Sequence, residues 1–342
     1  TIISQNVKRI QVSIVFLFLA LVSYSCSETN TDSKEEPAIV DHFGQLRVEG
    51  KHIINESDSI MVLRGMSFFW SQWGADYYNK ETIEWLRDDW KCTVIRAAVG
   101  VEYGGYLENK FTELTKAYAV IDACIELGIY VIVDWHDHHA EDHLDDALEF
   151  FRTISHKYGD KPNIIYEIYN EPLDVSWQNI LAPFADTVIA EIRKNDPDNI
   201  IIVGTPNWSQ DVDDVIGHRI EDDNIVYTLH FYASTHGQWL RDKAALALSA
   251  NIPIFVSEWG YSEASGTGNI NLEESDAWQS FMDSNHLSWC NWSVINKDES
   301  SAALKPSTLT PSGWSEEELT QSGKMVRNYL IEMNSALFDQ IK

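Results

Sequence analysis

Short apolar runs alternate with longer amphipathic stretches along most of this chain. The short runs are rich in Val and Ile and contain few polar positions, which is typical of parallel strands buried on both faces. The longer stretches repeat their apolar positions with a helical period. The pattern predicts eight strands, at Met61–Gly65, Thr93–Ala98, Tyr130–Trp135, Ile164–Tyr169, Ile200–Gly204, Ile225–Phe231, Pro253–Glu258 and Ser288–Ser293.

Helices are predicted between these strands, so that strand and helix follow each other along the chain. This alternation is typical of a single α/β domain folded as a (β/α)8 TIM barrel. We expect the barrel to occupy residues 41–333, with a short C-terminal tail at 334–342. The clearest helical stretches are Lys80–Trp90, Leu114–Leu127, His143–Tyr158, Trp177–Asn195, Leu240–Ser249 and Glu273–Ser284.

The first residues of the chain have the composition of a targeting segment. A basic pair, Lys8 and Arg9, precedes the apolar run Val12–Val22, and this order predicts a secretory signal over residues 1–25. The run is shorter than the roughly 20 apolar residues that span a bilayer. Cys26 then stands where a bacterial lipoprotein signal carries its lipidated cysteine. An ordinary cleaved signal, in which the cysteine has no role, is the alternative.

A flexible tether is expected at residues 26–40, because this stretch begins with polar and charged residues that show no apolar period. With a lipid on Cys26, the protein would be exported and anchored at the cell surface or in the periplasm. Without the lipid it would be secreted. The lipid is the one membrane contact that we expect, and we expect the folded domain to be a monomer.

The chain is strongly acidic, with 25 Lys and Arg residues against 53 Asp and Glu residues and a formal net charge of −28. Nucleic acids and anionic membrane surfaces need a basic face, and no dense Lys/Arg stretch is present, so both partners are excluded. The 13 Trp, 14 Tyr and 13 Phe residues favour an uncharged ligand that stacks on aromatic rings, such as a sugar. The cysteines beyond Cys26 form no CxxC pair, which argues against disulfides and structural zinc.

Polar residues suited to acid–base chemistry follow the predicted strands, where the active site of a TIM barrel lies. Two of them are glutamates, Glu171 after the fourth strand and Glu258 at the end of the seventh. A lone glutamate at such a position is usually a helix-start or ion-paired carboxylate, whereas two on different strands with polar partners indicate catalysis. The accompanying residues are Arg96, His136, Asn170, His230, Tyr232 and Trp292.

Two carboxyl groups hydrolyse a glycosidic bond with retention when one donates a proton and the other attacks, at a separation of about 5–5.5 Å. Their pKa values must differ, so their surroundings must differ. An arginine and a tyrosine beside one carboxylate would keep it ionised, whereas apolar surroundings and a neighbouring negative charge would keep the other protonated. An asparagine next to the acid could bind the 2-hydroxyl of the sugar, and tryptophans could stack on glucose rings.

These strand-end residues belong to a series of motifs that resembles glycoside hydrolase family 5, and in particular its bacterial endo-β-1,4-glucanases. The resemblance covers about residues 42–331. NEP or EWG alone would be a weak signal, but here the motifs occur together and in order. They are LRGMS (63–67), WLRDDW (85–90), VIRAA (94–98), YVIVDWH (130–136), IYEIYNEP (165–172), NIIIVGT (199–205), WSQDV (208–212), HFYASTHG (230–237), FVSEWG (255–260) and NWSVINKDESSAALKP (291–306).

The resemblance implies a retaining, endo-acting hydrolase of β-1,4-glucosidic bonds in cellulose or related β-glucans, with no cofactor and no metal. Glu171 is similar to the acid/base of the family and Glu258 to its nucleophile, which Arg96 and Tyr232 orient. The other implied roles are substrate contacts: His136, Asn170, His230 and Trp292 around the −1 sugar, Lys297 and Glu299 further along the glycone side, Trp73 as a −3 platform, and Trp208 on the cleft wall.

The chain also departs from the family pattern. Relatives commonly carry a histidine where this chain has Phe69 and a tyrosine where it has Gly100, so the glycone contacts are expected to differ. The loop at 136–143 reads HDHHAEDH and does not match the H-E-x-x-H motif of helical zinc sites. A polar loop at the cleft edge is therefore the preferred interpretation, and a metal site is the alternative.

Other functions stay open at this point. The same two glutamates could act on mannan, xylan, xyloglucan or mixed-linkage glucan, because those substrates differ in their cleft contacts and not in the chemistry. A non-catalytic carbohydrate-binding lipoprotein would have no need of both glutamates, and their joint presence disfavours it.

Overall fold

The computed structural model describes residues 38–341, and its centre is a closed barrel of eight parallel strands. Each strand pairs with the next along the chain, and the last pairs with the first. The predicted TIM barrel is confirmed. Its strands are β1 (Arg64–Phe68), β2 (Val94–Gly100), β3 (Tyr130–His136), β4 (Ile164–Glu167), β5 (Ile201–Val203), β6 (Ile225–Tyr232), β7 (Ile254–Gly260) and β8 (Ser288–Val294).

The strands are buried on both faces, as their apolar composition predicted. Every residue of β2, β3, β6, β7 and β8 is buried, because one face points into the barrel and the other packs against helices. β1 and β2 approach most closely at Gly65, where a Cβ atom would lie 1.7 Å from the carbonyl oxygen of Val94. Only glycine fits at that position.

Helices connect the strands and surround the barrel. They are α1 (Ile39–Phe43), α2 (Lys80–Asp88), α3 (Tyr106–Glu126), α4 (Leu144–Tyr158), α5 (Ala182–Ile192), α6 (Gln238–Ser249), α7 (Leu272–Ser284) and α8 (Gln321–Gln340). Short 3₁₀ segments lie at Ala75–Tyr77, Ala140–His143 and Val212–Val215.

Two helices differ from the prediction because their backbone is interrupted. α3 begins at Tyr106 instead of Leu114, and Asn109 inside it has non-helical angles of φ −135° and ψ 47°. The single helix predicted over Trp177–Asn195 is a π-helical turn, Trp177–Leu181, followed by α5. Apolar periodicity indicates a helical face but does not detect such breaks.

β1 begins at Arg64, whereas the sequence predicted its start at Met61. The amide of Met61 donates to the carbonyl of Ile53 at 2.9 Å, in the antiparallel hairpin formed by Arg47–Glu49 and His52–Ile54. Met61 is buried there just as it would be in a barrel strand, so its hydrophobicity does not distinguish the two positions.

The folded domain extends beyond both of its predicted ends. α1 lies partly in the expected tether at 26–40, where Val40 is buried and its amide donates to the carbonyl of Gly128 at 2.9 Å. α8 runs through the expected tail at 334–342, where Asn334 is buried and its side-chain amide donates to the carbonyl of Lys91 at 2.8 Å. α1 therefore begins before residue 41, and α8 continues past residue 333.

The predicted signal at 1–25 and the lipidation candidate Cys26 lie outside the described residues. Within residues 38–341, no helix combines the length and the apolar character that crossing a bilayer requires. The cysteines in this part of the chain are unpaired and buried, as the sequence predicted; they are Cys92, Cys124 and Cys290.

Candidate active site

Glu171 and Glu258 meet at the C-terminal ends of the barrel strands. Glu258 lies within β7, Glu171 follows the end of β4, and one carboxylate oxygen of each lies within 4.8 Å of the other. The side chain of Glu171 is 14% exposed and that of Glu258 is 6% exposed, so Glu171 is the more open to the cleft. So close an approach of one oxygen from each group suits a retaining pair, whose carboxyl groups lie about 5–5.5 Å apart.

Both carboxylate oxygens of Glu258 accept hydrogen bonds. Arg96 Nη1 lies 3.1 Å from Oε2, and the Tyr232 hydroxyl donates to Oε1 at 2.7 Å. Burial, followed by the charges of Glu258 and Glu171, raises the pKa of Tyr232 well above its usual value, so the phenol keeps the proton that it donates. These two donors fix the orientation of the Glu258 carboxylate.

Arg96 is fully buried and lies at the centre of an ionic cluster in the barrel. Besides Glu258, its guanidinium lies 2.7 Å from an oxygen of Glu167 and 2.9 Å from an oxygen of Asp134. It also donates to Oδ1 of Asn170 at 2.7 Å. A buried charge is tolerated when it is paired and hydrogen-bonded, and every nitrogen of this guanidinium has such a partner.

Glu167 and Asp134 belong to this cluster, although the sequence analysis assigned neither a role. Burial alone would raise the pKa of Glu167, but Arg96 and His230 outweigh it and lower that pKa to about 2. Asp134 Oδ2 contacts His136 Nδ1 at 2.6 Å as well as Arg96, so one carboxylate orients two side chains. Both residues could have been found from the sequence, because each is a charged residue inside an otherwise apolar strand.

His230 bridges Glu171 and the centre of the barrel. Its Nδ1 lies 3.0 Å from Glu171 Oε1, and its Nε2 lies 2.9 Å from the hydroxyl of Ser257. Ser257 in turn donates to Glu167 Oε1 at 2.6 Å and contacts the hydroxyl of Thr228. Because Ser257 gives its proton to Glu167, its oxygen accepts from Nε2, which therefore carries a hydrogen. Ser257 was not among the site residues predicted from the sequence.

The protonation of the two glutamates follows from this bridge. Burial would lower the pKa of His230, but the Glu167 and Glu171 carboxylates outweigh it and raise that pKa to about 9. Burial would likewise raise the pKa of Glu171, but the His230 imidazolium lowers it, whereas burial and the Glu171 charge raise the pKa of Glu258. This order is the reverse of the one expected from the sequence, which did not reveal the contact between His230 and Glu171.

A wall of aromatic rings stands beside the cluster. The ring of His136 stacks on Trp292 with a centroid distance of 5.3 Å and an interplanar angle of 3°. Phe69 lies 5.3 Å from Trp292 and 6.4 Å from Trp73, whose indole is more than half exposed. Trp70 packs between Trp73 and His136. We call these residues (Phe69, Trp70, Trp73, His136 and Trp292) the aromatic wall.

Lys297 and Glu299 form an ion pair beside the aromatic wall. The ammonium group of Lys297 lies 4.7 Å from the ring centroid of Phe69, within the range of a cation–π contact. The structure therefore brings these two predicted substrate contacts to the wall, on the side of Phe69.

Trp208 lies apart from the aromatic wall, on the rim of a cavity of about 340 Å³ that Glu171, Glu258 and Tyr232 also line. Three successive residues, 207–209, have left-handed backbone angles with φ between 56° and 58°. The amide of Trp208 donates to the carbonyl of Pro172 at 2.7 Å, which holds this unusual turn against the segment that follows Glu171. The indole is nearly half exposed.

Comparison with known proteins identifies the family. The sequence model of "Cellulase (glycosyl hydrolase family 5)" matches residues 54–298. This chain belongs to glycosyl hydrolase family 5. Endoglucanase A of Evansella cellulosilytica is 48% identical over 278 residues, which are 80% of this chain and 57% of that protein. Endoglucanase Z of Dickeya dadantii is 43% identical over 313 residues, which are 90% of this chain and 70% of that protein.

Solved structures of similar proteins have the same fold. A structure from Cytophaga hutchinsonii is 48% identical, covers 89% of this chain and 99% of its own, and superposes with a TM-score of 0.88. The catalytic domain of Thermobifida fusca endoglucanase Cel5A, as an E355Q variant in complex with cellotetraose, is 31% identical and superposes with a TM-score of 0.83 over 86% of this chain and 99% of its own.

The structure shows what surrounds Phe69 and Gly100, the two positions expected from the sequence to depart from the family pattern. Phe69 is part of the aromatic wall and contacts Trp292. At Gly100 a Cβ atom would lie 1.8 Å from Oε1 of Gln72, so the Gln72 side chain fills the volume that a larger residue would take. The loop between β1 and α2 therefore packs closely against the end of β2 at these two residues.

The histidine-rich loop of this family 5 chain is internally hydrogen-bonded. Among the described residues, Glu102, Asp137 and His139 place one ligand atom each within 4.8 Å of the others, as a metal site would. Their polar atoms already have partners: Asp137 contacts His143 Nδ1 at 2.7 Å and accepts from the His139 amide at 2.9 Å, and His139 Nδ1 lies 3.2 Å from Glu102. This bonding fits the polar cleft-edge loop preferred from the sequence.

Proposed function

We propose that this protein is a retaining endo-β-1,4-glucanase, in which Glu258 is the nucleophile and Glu171 is the acid/base. One observation carries the assignment. One oxygen of Glu171 lies within 4.8 Å of one oxygen of Glu258, and of the two carboxylates only that of Glu258 has both oxygens fixed by donors, from Arg96 and Tyr232. A nucleophile needs a fixed orientation, whereas the acid/base needs access to the leaving oxygen, which the greater exposure of Glu171 provides.

The reaction takes two steps. In the first, a carboxylate oxygen of Glu258 forms a bond to the anomeric carbon while the glycosidic C–O bond breaks and Glu171 transfers its proton to the departing oxygen. In the second, Glu171 takes a proton from water, whose oxygen attacks the anomeric carbon and releases Glu258. The proton that Glu171 gives up in the first step is replaced from water in the second, so the enzyme returns to its starting state.

The remaining residues of the cluster hold the reacting sugar. Oδ1 of Asn170 accepts from Arg96, so its NH₂ group is the end available to donate to the 2-hydroxyl as positive charge develops at the anomeric carbon. The parallel rings of His136 and Trp292 offer a flat surface for the −1 pyranose. Trp73, Lys297 and Glu299 would contact sugars further along the glycone side.

The named relatives support a β-1,4-glucan as the substrate. Two of them carry the name endoglucanase, and a structural relative contains cellotetraose. The chain spans 57% of the length of the Evansella relative, so the substrate preference is proposed for the domain in hand. A cleft that is lined by tryptophan and placed in an acidic protein suits an uncharged polysaccharide.

The proposal is tested on purified protein with amorphous cellulose, lichenan, mannan, xylan and xyloglucan, with Glu258→Gln as the inactive control. We expect the highest rate on cellulose, and proton NMR should show the β-anomer of the product first. Faster hydrolysis of mannan or xylan would contradict cellulose as the preferred substrate. Initial release of the α-anomer would exclude the two-step mechanism.

We also propose that the protein is exported and carries a lipid on Cys26. The support is the order of a basic pair, the apolar run Val12–Val22 and this cysteine in the sequence. The polar residues that follow would then let the barrel reach a polymer outside the cell. We propose further that the folded domain is a monomer.

A further inference from the structure

Trp239 is an exposed tryptophan beside the catalytic cavity, and the mechanism above does not use it. It lies in the first turn of α6, and 49% of its surface is accessible. Its ring lies 5.8 Å from the ring of His236, at an interplanar angle of 69°. His236 lines the cavity together with Glu171 and Trp208, so Trp239 adjoins the cavity rim.

The orientation of α6 brings the face of Trp239 toward the loop of Trp208. Lys243 lies one helical turn after Trp239 and therefore on the same face of the helix. It forms an ion pair with Asp211 and lies 3.8 Å from an oxygen of Asp213. Because Asp211 follows the cavity-lining residue Gln210, this helical face and the Trp208 loop stand on the same side of the site.

His236 gives Trp239 a fixed and uncharged support. Nδ1 of His236 accepts from the Tyr232 amide at 2.8 Å, and its carbonyl accepts from Trp278 Nε1 at 2.6 Å. Burial lowers the pKa of His236 to about 4, so the ring is neutral at ordinary pH. A rigid support reduces the entropy that a sugar contact costs, and the lack of charge suits a neutral pyranose.

Both catalytic carboxylates, Glu171 and Glu258, line the cavity together with Trp208, whereas no residue of the aromatic wall is among the described residues that line it. Because the proposed function places the glycone sugars along the aromatic wall, the cavity is left for the part of the glucan that departs after bond cleavage. The chain beyond that part would then pass the rim beside Trp239.

We infer that Trp239 is a distal acceptor-side platform, which stacks on a glucosyl unit of the departing β-glucan beyond the unit that contacts Trp208. The inference rests on the proposed function and deepens it, because it assigns a binding contact for long chains outside the catalytic cluster. Single exposed hydrophobic residues are common on protein surfaces. Two observations distinguish Trp239. It contacts the cavity-lining residue His236, and it lies on the same face of α6 as Lys243, which forms an ion pair with Asp211 in the loop of Trp208.

The test compares Trp239→Ala with Leu246→Ala, a control on the same helix whose side chain is also half exposed. We expect Trp239→Ala to raise KM for cellohexaose by about two- to tenfold, the effect of one aromatic contact, with kcat nearly unchanged. Cleavage of end-labelled cellohexaose should shift toward bonds that leave shorter acceptor fragments. Trp239→Phe should retain most of the wild-type pattern. An unchanged cleavage pattern, or the same change in Leu246→Ala, would overturn the platform.

A binding experiment separates this inference from the proposed function. In the Glu258→Gln background, calorimetry should show that Trp239→Ala weakens the binding of cellohexaose by a similar factor while the binding of cellotriose is unaffected. Loss of affinity without any wild-type hydrolysis would support the platform and contradict the proposed activity. Equal affinity of both proteins for cellohexaose would overturn the platform whatever the activity.

Discussion

Nδ1 of His230 lies 3.0 Å from Oε1 of Glu171, while Nε2 of the same ring faces the Ser257 hydroxyl at 2.9 Å. The contact with Ser257 keeps a hydrogen on Nε2. Nδ1 then has two possible roles: it donates to Glu171 when Glu171 is a carboxylate, and it accepts from Glu171 when Glu171 is a carboxylic acid. Glu171 and His230 therefore share one proton. Transfer of that proton to Glu171 gives the acid that cleavage needs, without a proton from solvent.

The shared proton predicts the alkaline limit of activity. The pKa of His230 is raised to about 9, so the pair keeps its proton below that pH and loses it as the pH rises through about 9. We expect kcat/KM to fall over that range. Burial and Glu171 raise the pKa of Glu258, so the acid limit should lie above the about 4.3 of a free glutamate. Initial rates from pH 4 to 10 measure both limits, and an alkaline limit near pH 7 would contradict the shared proton.

Ser257→Ala should impair acid catalysis selectively, because the Nε2 hydrogen of His230 and an oxygen of Glu167 lose their partner. An unsatisfied buried group costs about 1–3 kcal/mol, so we expect kcat on cellulose to fall by about tenfold. Hydrolysis of 2,4-dinitrophenyl cellobioside, whose leaving group needs no protonation, should fall less. Ser257→Thr retains the hydroxyl and is the control. An equal loss on both substrates would indicate a general structural defect instead.

The two glutamates should fail in different ways. Glu258→Gln removes the nucleophile and should abolish hydrolysis of every substrate while the circular dichroism spectrum is unchanged. Glu171→Gln should lower kcat on cellulose by about 10²–10⁴-fold, the range for general acid catalysis, but retain formation of the glycosyl-enzyme from dinitrophenyl cellobioside. Near wild-type rates on cellulose for either variant would refute the assignment.

Trp292 and Trp73 should contribute at different stages. Trp292 stacks on His136 beside the cluster, so Trp292→Ala should lower kcat on all substrates. Trp73 is exposed at the far end of the aromatic wall, so Trp73→Ala should raise KM for long oligosaccharides and leave the shortest ones nearly unchanged. Melting temperatures provide the control. If Trp73→Ala slowed the hydrolysis of all substrates equally and lowered Tm, Trp73 would be a structural residue.

Cys26 can be tested independently of the barrel. Bacteria that express the full chain should hold the enzyme in the membrane fraction and incorporate labelled palmitate, and Cys26→Ser should abolish both. Soluble, unlabelled wild-type protein would favour the ordinary cleaved signal.

The sequence was a good guide to the barrel because parallel strands are buried on both faces and therefore read as apolar runs. It placed β1 too early because Met61 is buried in a loop as fully as it would be in a strand. α8 was not predicted, although Val326, Leu330 and Phe338 are buried along one face with a helical period. That signal was present, and the charged residues between these positions obscured it.

The candidate site divides in a similar way. Residues at strand ends, such as Glu171 and Glu258, can be found along the sequence because a barrel brings those ends together. Glu167 and Ser257 act through hydrogen bonds between β4 and β7, and a linear sequence does not show which side chains face each other across a barrel. The order of the pKa values failed for the same reason, since it depends on the imidazole of His230.

The ionic cluster around Arg96 has a consequence for decorated polysaccharides. Burial raises the pKa of Asp134, and the remaining carboxylates, those of Glu167, Glu171 and Glu258, still outnumber the two cations beside them, the Arg96 guanidinium and the His230 imidazolium. The floor beneath the reacting sugar therefore repels anions at short range, where salt screens poorly. A glucuronate unit or a carboxymethyl substituent would be rejected at that position even on a backbone the cleft otherwise accepts, so cleavage of such polymers should occur only at unsubstituted units.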